Sequence, residues 1–437
     1  MRSQRPRRLF ATVALGGIIA LLLAGCTSGS NTNNSTNKAG ELDGVTLNVA
    51  ADWSGAEQTN FEKVLKQFTA DTGAKVNYTS YGTDVATTLN TKVQGGDPPD
   101  VAVIPQPGLL DSLAADGSLI PLDSAIQDEV KANYSQDWID LGTADGKLYG
   151  VWFKAANKST VWYNTQVYDT AGADVPKTWQ DFNDQLAVIS DSGVYGLSIG
   201  ADAGWPLTDW FENVYLRTAG GDKYDQLATH KIPWTDPSVT EALTVLGGLW
   251  GNTTVIQPGT AQRTFGDSVI AVFGDPPAAG TVYEGDFVAG NITSDTKAVV
   301  GKTAKFYDFP SVNDSPPSVV GGGSVAVQLT KNKGAAELVQ YLATPEAATI
   351  WVKEGGFTSP NQKVDISAYP DDTSRQIADA LVSADVFRFD MSDLAPSAFG
   401  GTKGAGEWQI LIDFFNNPTD IAGTQQKLEA AAAAAFG

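Results

Sequence analysis

The feature that most constrains the fold is a regular alternation of strand and helix patterns at the start of the folded region. Strands are predicted at 45–51, 75–81 and 101–104, and helices at 57–72, 83–94 and 107–115. The first helix carries the clearest signal, because Phe61, Val64, Leu65 and Phe68 follow the spacing of an amphipathic helix. This β-α-β-α-β-α order predicts an α/β fold with helices on both faces of a doubly wound sheet.

Strand patterns return in a second block after residue 145 and again near residue 305. Strands are predicted at 158–164, 268–273, 305–310 and 324–329, and helices from 179, at 237–250, at 334–348 and at 424–436. At 437 residues the chain exceeds the size at which one hydrophobic core stops growing, so two lobes are expected. The return of strand patterns near residue 305 indicates that the chain crosses back between the lobes.

Residues 1–25 have the pattern of an export signal. Four arginines within residues 1–8 precede an apolar run that ends in small residues. The sequence Leu23-Ala24-Gly25-Cys26 resembles the lipobox of bacterial lipoproteins, which implies cleavage before Cys26 and lipidation of its thiol. Residues 26–40 are polar after the cysteine and are predicted to form a flexible tether. We therefore expect a protein held on the outer side of the cell membrane by acyl chains on Cys26.

Composition excludes several classes of partner and site. The chain has 29 lysines and arginines against 50 acidic residues, a net charge of −21, which disfavours nucleic acid and anionic headgroups as partners. A single cysteine excludes an intramolecular disulfide, and with one histidine it leaves no soft-metal cluster. No cofactor is expected. Eleven tryptophans are unusual, and because tryptophan is seldom fully buried, some are expected to line a cleft.

Short motifs occur along the chain in a characteristic order. They include Trp53-Ser54-Gly55 with Glu57, Gly95-Gly96-Asp97-Pro98-Pro99-Asp100-Val101, Gly146-Lys147-Leu148-Tyr149-Gly150, Trp162-Tyr163-Asn164 and Tyr341-Leu342-Ala343-Thr344-Pro345. Their order resembles that of bacterial extracellular solute-binding proteins of family 1, the sugar-binding subunits of ATP-driven (ABC) importers. The run from Gly204 to Trp210 resembles the subset that binds oligosaccharides such as alpha-glucosides.

The resemblance implies a two-lobe periplasmic-binding-protein fold of type II, in which each lobe is a mixed sheet flanked by helices and the ligand cleft lies between the lobes. It implies a first lobe of residues 41–145 plus 304–348 and a second lobe of residues 146–303 plus 349–437. It also implies a monomeric receptor, not an enzyme, that captures a carbohydrate, an oligosaccharide by the subset it resembles, and delivers it to the transmembrane permease of an ABC importer.

A sugar offers hydroxyl groups that pair with acids and amides, and flat faces that stack on aromatic rings. On this ground, and from the resemblance, the predicted ligand-binding residues are Trp53, Glu57, Gln106, Lys154, Trp205, Asp209, Trp210, Phe273, Asp275, Gly323 and Arg388. Each also has an ordinary structural interpretation. The aromatic rings fit a core, Glu57 fits a carboxylate favoured at a helix start, and Lys154 or Lys158 fits a solvated face.

Two other functions stay open at the level of sequence. A receptor of the same architecture for a peptide or polyamine fits the same motifs. A surface glycosidase needs two carboxylates on either side of one bond, and Glu57 with Asp209 is the available pair. Gly196-Leu197-Ser198-Ile199-Gly200 matches a hydrolase nucleophile pattern followed by His230, but no helix pattern follows the serine as that motif requires.

Overall fold

A computed structural model describes residues 40–384 and 386–437. In these residues the β-strands are β1 (Thr46–Ala51), β2 (Lys75–Ser80), β3 (Val101–Ile104), β4 (Thr143–Ala144), β5 (Lys147–Leu148), β6 (Gly150–Asn157), β7 (Thr160–Asn164), β8 (Tyr195–Ser198), β9 (Ala279–Glu284), β10 (Ala304–Asp308), β11 (Ser318–Gln328) and β12 (Val386–Phe389).

The helices of the same residues lie between and around these strands. They are α1 (Gly55–Thr72), α2 (Val85–Gln94), α3 (Pro107–Ala115), α4 (Ser124–Asn133), α5 (Gln136–Leu141), α6 (Thr165–Ala171), α7 (Trp179–Asp191), α8 (Trp205–Ala219), α9 (Gly221–Ala228), α10 (Pro237–Trp250), α11 (Phe265–Phe273), α12 (Val288–Asp295), α13 (Lys333–Leu342), α14 (Pro345–Val352), α15 (Asp372–Ser383), α16 (Met391–Leu394), α17 (Ser397–Gly400), α18 (Gly406–Asn416) and α19 (Ile421–Phe436). No helix of the described residues combines the length and apolar composition needed to cross a bilayer.

Ten of these strands form two separate mixed sheets, and β4 and β5 pair only with each other. The first has the order β12-β11-β3-β1-β2, with β6 also paired to β11, and the second has the order β10-β7-β9-β8. In the first sheet β1 is parallel to both β2 and β3, whereas β11 is antiparallel to β3 and β6. In the second sheet β7 is antiparallel to both neighbours, and β8 is parallel to β9. These sheets and their flanking helices confirm the predicted α/β class.

Each sheet has its own hydrophobic cluster. The first cluster includes Leu47, Phe61 and Val325, and the second includes Val161, Trp210 and Leu428. The predicted lobe boundaries stay a prediction. Part of segment 349–437, around Trp351 and Phe357, belongs to the first cluster.

The early strands and helices confirm the alternation predicted from sequence, but two later predictions are wrong. Residues 268–273 belong to α11 and not to a strand. Its N-cap Thr264 accepts a hydrogen bond from the Asp267 amide at 3.1 Å, and Ile270 is exposed beside buried Val269 and Val272. A short apolar run fits either element, so its pattern could not decide. Residues 334–348 form two helices because Pro345 starts a new one.

The chain passes between the two sheets at two places, and at a third it passes from the first sheet to the second hydrophobic cluster. Residues 158–159 join β6 to β7, residues 309–317 join β10 to β11, and Asp390 joins β12 to α16. The Phe309 amide donates to the Ser159 carbonyl at 2.8 Å and joins the first two crossings. The Lys158 and Asp390 amides donate to the neighbouring β11 carbonyls of Val320 and Gly321 at 2.9 and 2.7 Å. The three crossings therefore lie side by side at the base of the space between the sheets.

Phe61→Ala tests the core assignment of α1. Phe61 is fully buried and its ring lies 4.8 Å from that of Trp53, so its truncation should lower the free energy of unfolding by about 3–5 kcal/mol. Lys66→Ala, on the exposed face of the same helix, should change it by no more than about 0.5 kcal/mol. Denaturant unfolding measures both, and equal losses would contradict the assignment.

Candidate functional site

A cavity of about 600 Å³ lies between the two hydrophobic clusters. One wall is made by residues that follow the carboxyl ends of parallel strands β1 and β3, the edge at which open α/β sheets bind ligands. The opposite wall is made by the first turns of α8 and α11. The volume is within the range of about 300–1,000 Å³ typical of small-molecule sites.

Three aromatic rings form one wall of the cavity. Trp205, Phe265 and Phe287 lie with ring centroids 5.4 to 6.0 Å apart, and all three line the space. Trp205 begins α8 directly after Gly204, whose φ of 101° favours glycine. A Cβ on Gly204 would lie 2.6 Å from the Cβ of Trp408, which also lines the cavity. This glycine therefore permits the close approach that brings Trp205 and Trp408 to the same space.

Lys154 and Glu57 form an ion pair at the first-sheet side of the cavity. The Lys154 side chain is 4% exposed, and its ammonium lies 5.4 Å from the ring centroids of Phe287 and Trp351. Burial of a charge requires such compensation, which the carboxylate and the two ring faces supply together. The Lys154 ammonium therefore holds one of the two carboxylate oxygens of Glu57.

Lys158 lies among three carboxylates at the crossings. Its ammonium donates to Asp209 Oδ1 at 3.2 Å, binds Asp390, and lies 3.5 Å from Asp393 Oδ2. The same ammonium is 5.9 Å from the centroid of the Trp205 ring. Burial lowers the pKa of Lys158, but attraction by Asp209, Asp390 and Asp393 outweighs it and holds this pKa well above its ordinary value.

Glu212 positions the short helix α16, which carries Asp393 and is capped by Asp390. It is fully buried and accepts hydrogen bonds from the amides of Met391 at 2.8 Å and Ser392 at 2.9 Å, and from the Tyr224 hydroxyl at 2.8 Å. Burial raises the pKa of Glu212, and repulsion from Asp390 adds to the shift. These bonds fix the segment after β12 against α8.

Glu284 is a further buried carboxyl next to Asp209. It is 2% exposed, and neither of its oxygens accepts a hydrogen bond from a donor group of the described residues. Burial raises the pKa of Glu284 to about 8, and the Lys158 charge opposes the shift. Glu284 therefore keeps its proton at neutral pH.

The structure brings seven of the predicted binding residues to the cavity. They are Trp53, Glu57, Gln106, Lys154, Trp205, Asp209 and Gly323. Trp53 is only 2% exposed and packs on Phe61 and Trp351, so its contribution is largely structural. Gln106 is also 2% exposed, and its Oε1 has no hydrogen-bond donor among the described residues.

Four predicted binding residues lie outside the cavity lining. Trp210 faces the core, 4.4 Å from the Tyr283 ring, because it is on the inner side of α8. Phe273 ends helix α11, buried against the second sheet, and Asp275 follows it in an exposed turn. Arg388 pairs with Asp225 at 2.6 Å. The incorrect strand at 268–273 had placed Phe273 and Asp275 at a strand end.

Several residues of the cavity were not predicted from sequence. They include Asp202, Phe265, Phe287, Asp390, Asp393 and Trp408. A solvated face is predicted for at least one of Lys154 and Lys158, but this prediction is wrong because their side chains are only 4% and 12% exposed. Asp390 directly follows strand β12 and caps α16, a position that a strand-end argument applied to the C-terminal part would have found.

Other sequence predictions fall elsewhere. Cys26, the signal peptide and residues 26–39 of the tether lie outside the described residues.

The hydrolase nucleophile pattern does not bring its serine and the histidine together. The Ser198 hydroxyl donates to Gln257 at 2.8 Å, and His230 Nε2 lies 3.2 Å from Glu429, so the serine and histidine have separate partners. In residues 40–384 and 386–437 no group of three histidine, cysteine or acidic side chains is arranged to hold a metal ion.

Comparison with known proteins gives consistent matches over nearly the whole chain. The family model of bacterial extracellular solute-binding protein matches residues 52–349. The osmoprotective compounds-binding protein GgtB of Synechocystis is 33% identical over 91% of this chain and 93% of that protein. The alpha-glucosides-binding periplasmic protein AglE of Rhizobium meliloti is 33% identical over 89% of this chain and 88% of that protein.

Solved structures show the same fold. The bacterial solute receptor AcbH, described as preferring β-D-galactopyranose, superposes with a TM-score of 0.79 at 23% identity, over 90% of this chain and 99% of that one. A chitin oligosaccharide binding protein superposes with a TM-score of 0.77 at 18% identity, over 90% and 99% of the two chains. The predicted two-lobe, type II architecture is thereby confirmed.

Glu284→Gln tests the buried proton. Between about pH 4.5 and 8 the folded chain keeps a proton on Glu284 that the unfolded chain loses, so the free energy of unfolding should fall as pH rises through this window. The glutamine variant lacks this titration. Its stability relative to the unsubstituted protein should therefore rise by roughly 2–4 kcal/mol between about pH 5 and pH 8.5.

Denaturant unfolding at several pH values measures this difference. Glu346→Gln is the matched control, because Glu346 is exposed in the first turn of α14 and should give a difference that is independent of pH across the same range. A pH-independent difference for Glu284→Gln as well would show that Glu284 is ionised in the folded protein.

Proposed function

The chain belongs to the bacterial extracellular solute-binding protein family, and on that premise we propose that its cavity captures an oligosaccharide for an ATP-driven importer. Relatives that match 91% and 89% of the chain are named for binding osmoprotective compounds and alpha-glucosides. The proposed receptor is monomeric, performs no catalysis of its own, and delivers its ligand to a membrane permease.

The observation that carries this proposal is the combination of an aromatic wall with fixed polar groups in one cavity. Trp205, Phe265 and Phe287 offer ring faces on which the C–H faces of a pyranose pack. Asp209 and Gln106 offer oxygens that accept hydrogen bonds from sugar hydroxyls. Because several rings and several acceptors line a cavity of about 600 Å³, the site suits a ligand with more than one sugar ring.

We further propose that the receptor is anchored to the outer face of the cell membrane through Cys26. The support is the lipobox-like sequence before Cys26 and the polar tether of residues 26–40. A tether of this kind keeps the receptor near its permease, which raises the effective concentration of ligand-loaded receptor at the docking surface.

Trp205→Ala tests the sugar site. Loss of the ring should weaken oligosaccharide binding by about 1–3 kcal/mol, the range for one stacked ring and its buried area. Trp179→Ala is the matched control, because Trp179 is also half-buried but packs on Phe309 away from the cavity. Calorimetric titration measures both variants, and an equal effect on binding would contradict the assignment of Trp205.

Cys26→Ala tests the anchor. The variant should move from the membrane fraction to the soluble extracellular fraction, because it lacks the thiol that would carry the lipid. Its sugar affinity should not change, since the cavity lies within the folded region. Ser28→Ala, two residues further along, should stay with the membrane. Retention of both variants in the membrane fraction would refute the proposed anchor.

A further inference from the structure

The walls of the cavity carry many more acids than cations. Among the described residues that line it, the carboxylates are Asp52, Glu57, Asp202, Asp209, Asp390 and Asp393, and the cations are Lys154 and Lys158. The space has an excess of four negative charges only when all of these groups are ionised, because burial raises the pKa of Asp52 to about 7 and those of Asp209 and Asp393 well above their ordinary value. Such an excess in one enclosed space sets a strong preference for the charge of a ligand.

Both lysines of the cavity are already engaged by carboxylates of the protein. Lys154 is paired with Glu57, and Lys158 lies within 3.5 Å of carboxylate oxygens from three aspartates. Their side chains are 4% and 12% exposed, so neither ammonium extends into the space as an anion-binding group would. A ligand anion would have to compete with these internal partners for each lysine.

Three of the polar atoms that lack a partner among the described cavity residues are hydrogen-bond acceptors, whereas Trp408 Nε1 is a donor. Gln106 is 98% buried and its Oε1 has no donor among the described residues, and the same holds for Asp52 Oδ1 and Asp209 Oδ2. An acceptor is satisfied by a ligand hydroxyl or ammonium group, both of which donate. A carboxylate or phosphate brings only acceptors, and it would leave these oxygens unpaired while adding repulsion.

We propose that the cavity selects its ligand by charge: it binds neutral oligosaccharides and amine-bearing sugars, and it rejects uronic acids and sugar phosphates. The inference rests on the proposed sugar-binding function and specifies its substrate class. Selection arises from the negative charge that the six carboxylates carry in excess of the two lysines, and from acceptors that require a donating ligand.

The first test compares matched ligands by calorimetry. A panel of sucrose, maltose, trehalose, raffinose and chitobiose identifies a neutral sugar that binds, and its C6 uronate and 6-amino-6-deoxy derivatives are then titrated. The uronate should bind at least about 10-fold more weakly than the amine derivative, a difference of about 1.4 kcal/mol. The ratio should shrink in about 1 M salt, which screens charges beyond about 3 Å.

The outcomes separate the two proposals. If neutral sugars bind and the uronate binds as tightly as the amine derivative, the charge-selection inference fails and the proposed sugar-binding function stands. If no sugar of the panel binds, the proposed function fails and the inference fails with it. A salt-independent preference for the amine would also overturn the inference, because it would show that shape and not charge is the cause.

Asp393→Asn tests the source of the selection. It removes one carboxylate next to Lys158 while Asp209 and Asp390 remain, so the affinity ratio of amine to uronate should fall by about 3- to 10-fold. Asp191→Asn makes the same charge change at an exposed position at the end of α7 and should leave the ratio unaltered. Equal ratios in the two variants would overturn the inference.

Asp202→Asn provides the same test at a more exposed residue, whose replacement disturbs the fold less than that of Asp393. Asp202 is 32% exposed, lines the cavity and lies 3.3 Å from Lys403, so its replacement removes one negative charge and releases one positive charge at the edge. The amine-to-uronate ratio should fall at least as far as in Asp393→Asn. An unchanged ratio in this variant would overturn the inference even if Asp393→Asn does not fold.

Discussion

The structure depends on the ion cluster in which one lysine holds three buried carboxylates together. Lys158 follows β6 at the first crossing of the chain, and Asp390 precedes α16 at the third. Asp209 comes from α8, which packs on the second cluster, so the same ammonium connects elements from both sides of the cavity. Removal of such a charge leaves several buried acids without compensation, and breaking buried pairs costs about 3–5 kcal/mol. The base of the cavity and the junction between the lobes thus share one set of contacts.

The same contacts arrange the binding surface before a ligand arrives. Glu212 accepts hydrogen bonds from two backbone amides and fixes the segment that carries Asp390 and Asp393, while the Asp209 side chain is held by Lys158. A surface whose polar groups are already fixed spends little conformational entropy when it binds. Aromatic rings at the first turns of α8 and α11 complete this surface from the other side. Affinity for a flexible, hydroxyl-rich ligand is favoured by such preorganisation.

Sequence patterns predicted the parts of this arrangement that depend on local periodicity. The apolar spacing of α1 and the alternation of strands and helices predicted that Trp53 and Gln106 follow parallel strands. In the structure both residues line the cavity. Patterns could not predict that Lys158 meets Asp390, because the two residues are 232 positions apart and meet only through the crossings of the chain. Phe273 was misplaced for a different reason, since a six-residue apolar run fits a strand as well as a buried helix. Long-range contacts and short ambiguous runs are thus where sequence reasoning failed.

A crystal structure of the protein with a bound neutral oligosaccharide tests the central claim most directly. The account predicts a sugar ring packed on Trp205 within the cavity of about 600 Å³, with hydroxyl groups donating to Asp209 or Gln106 at hydrogen-bond distance. It predicts that Lys158 keeps its carboxylate partners in the complex. An oligosaccharide bound elsewhere on the molecule, or one held by Lys154 and Lys158 after release of their acids, would contradict it.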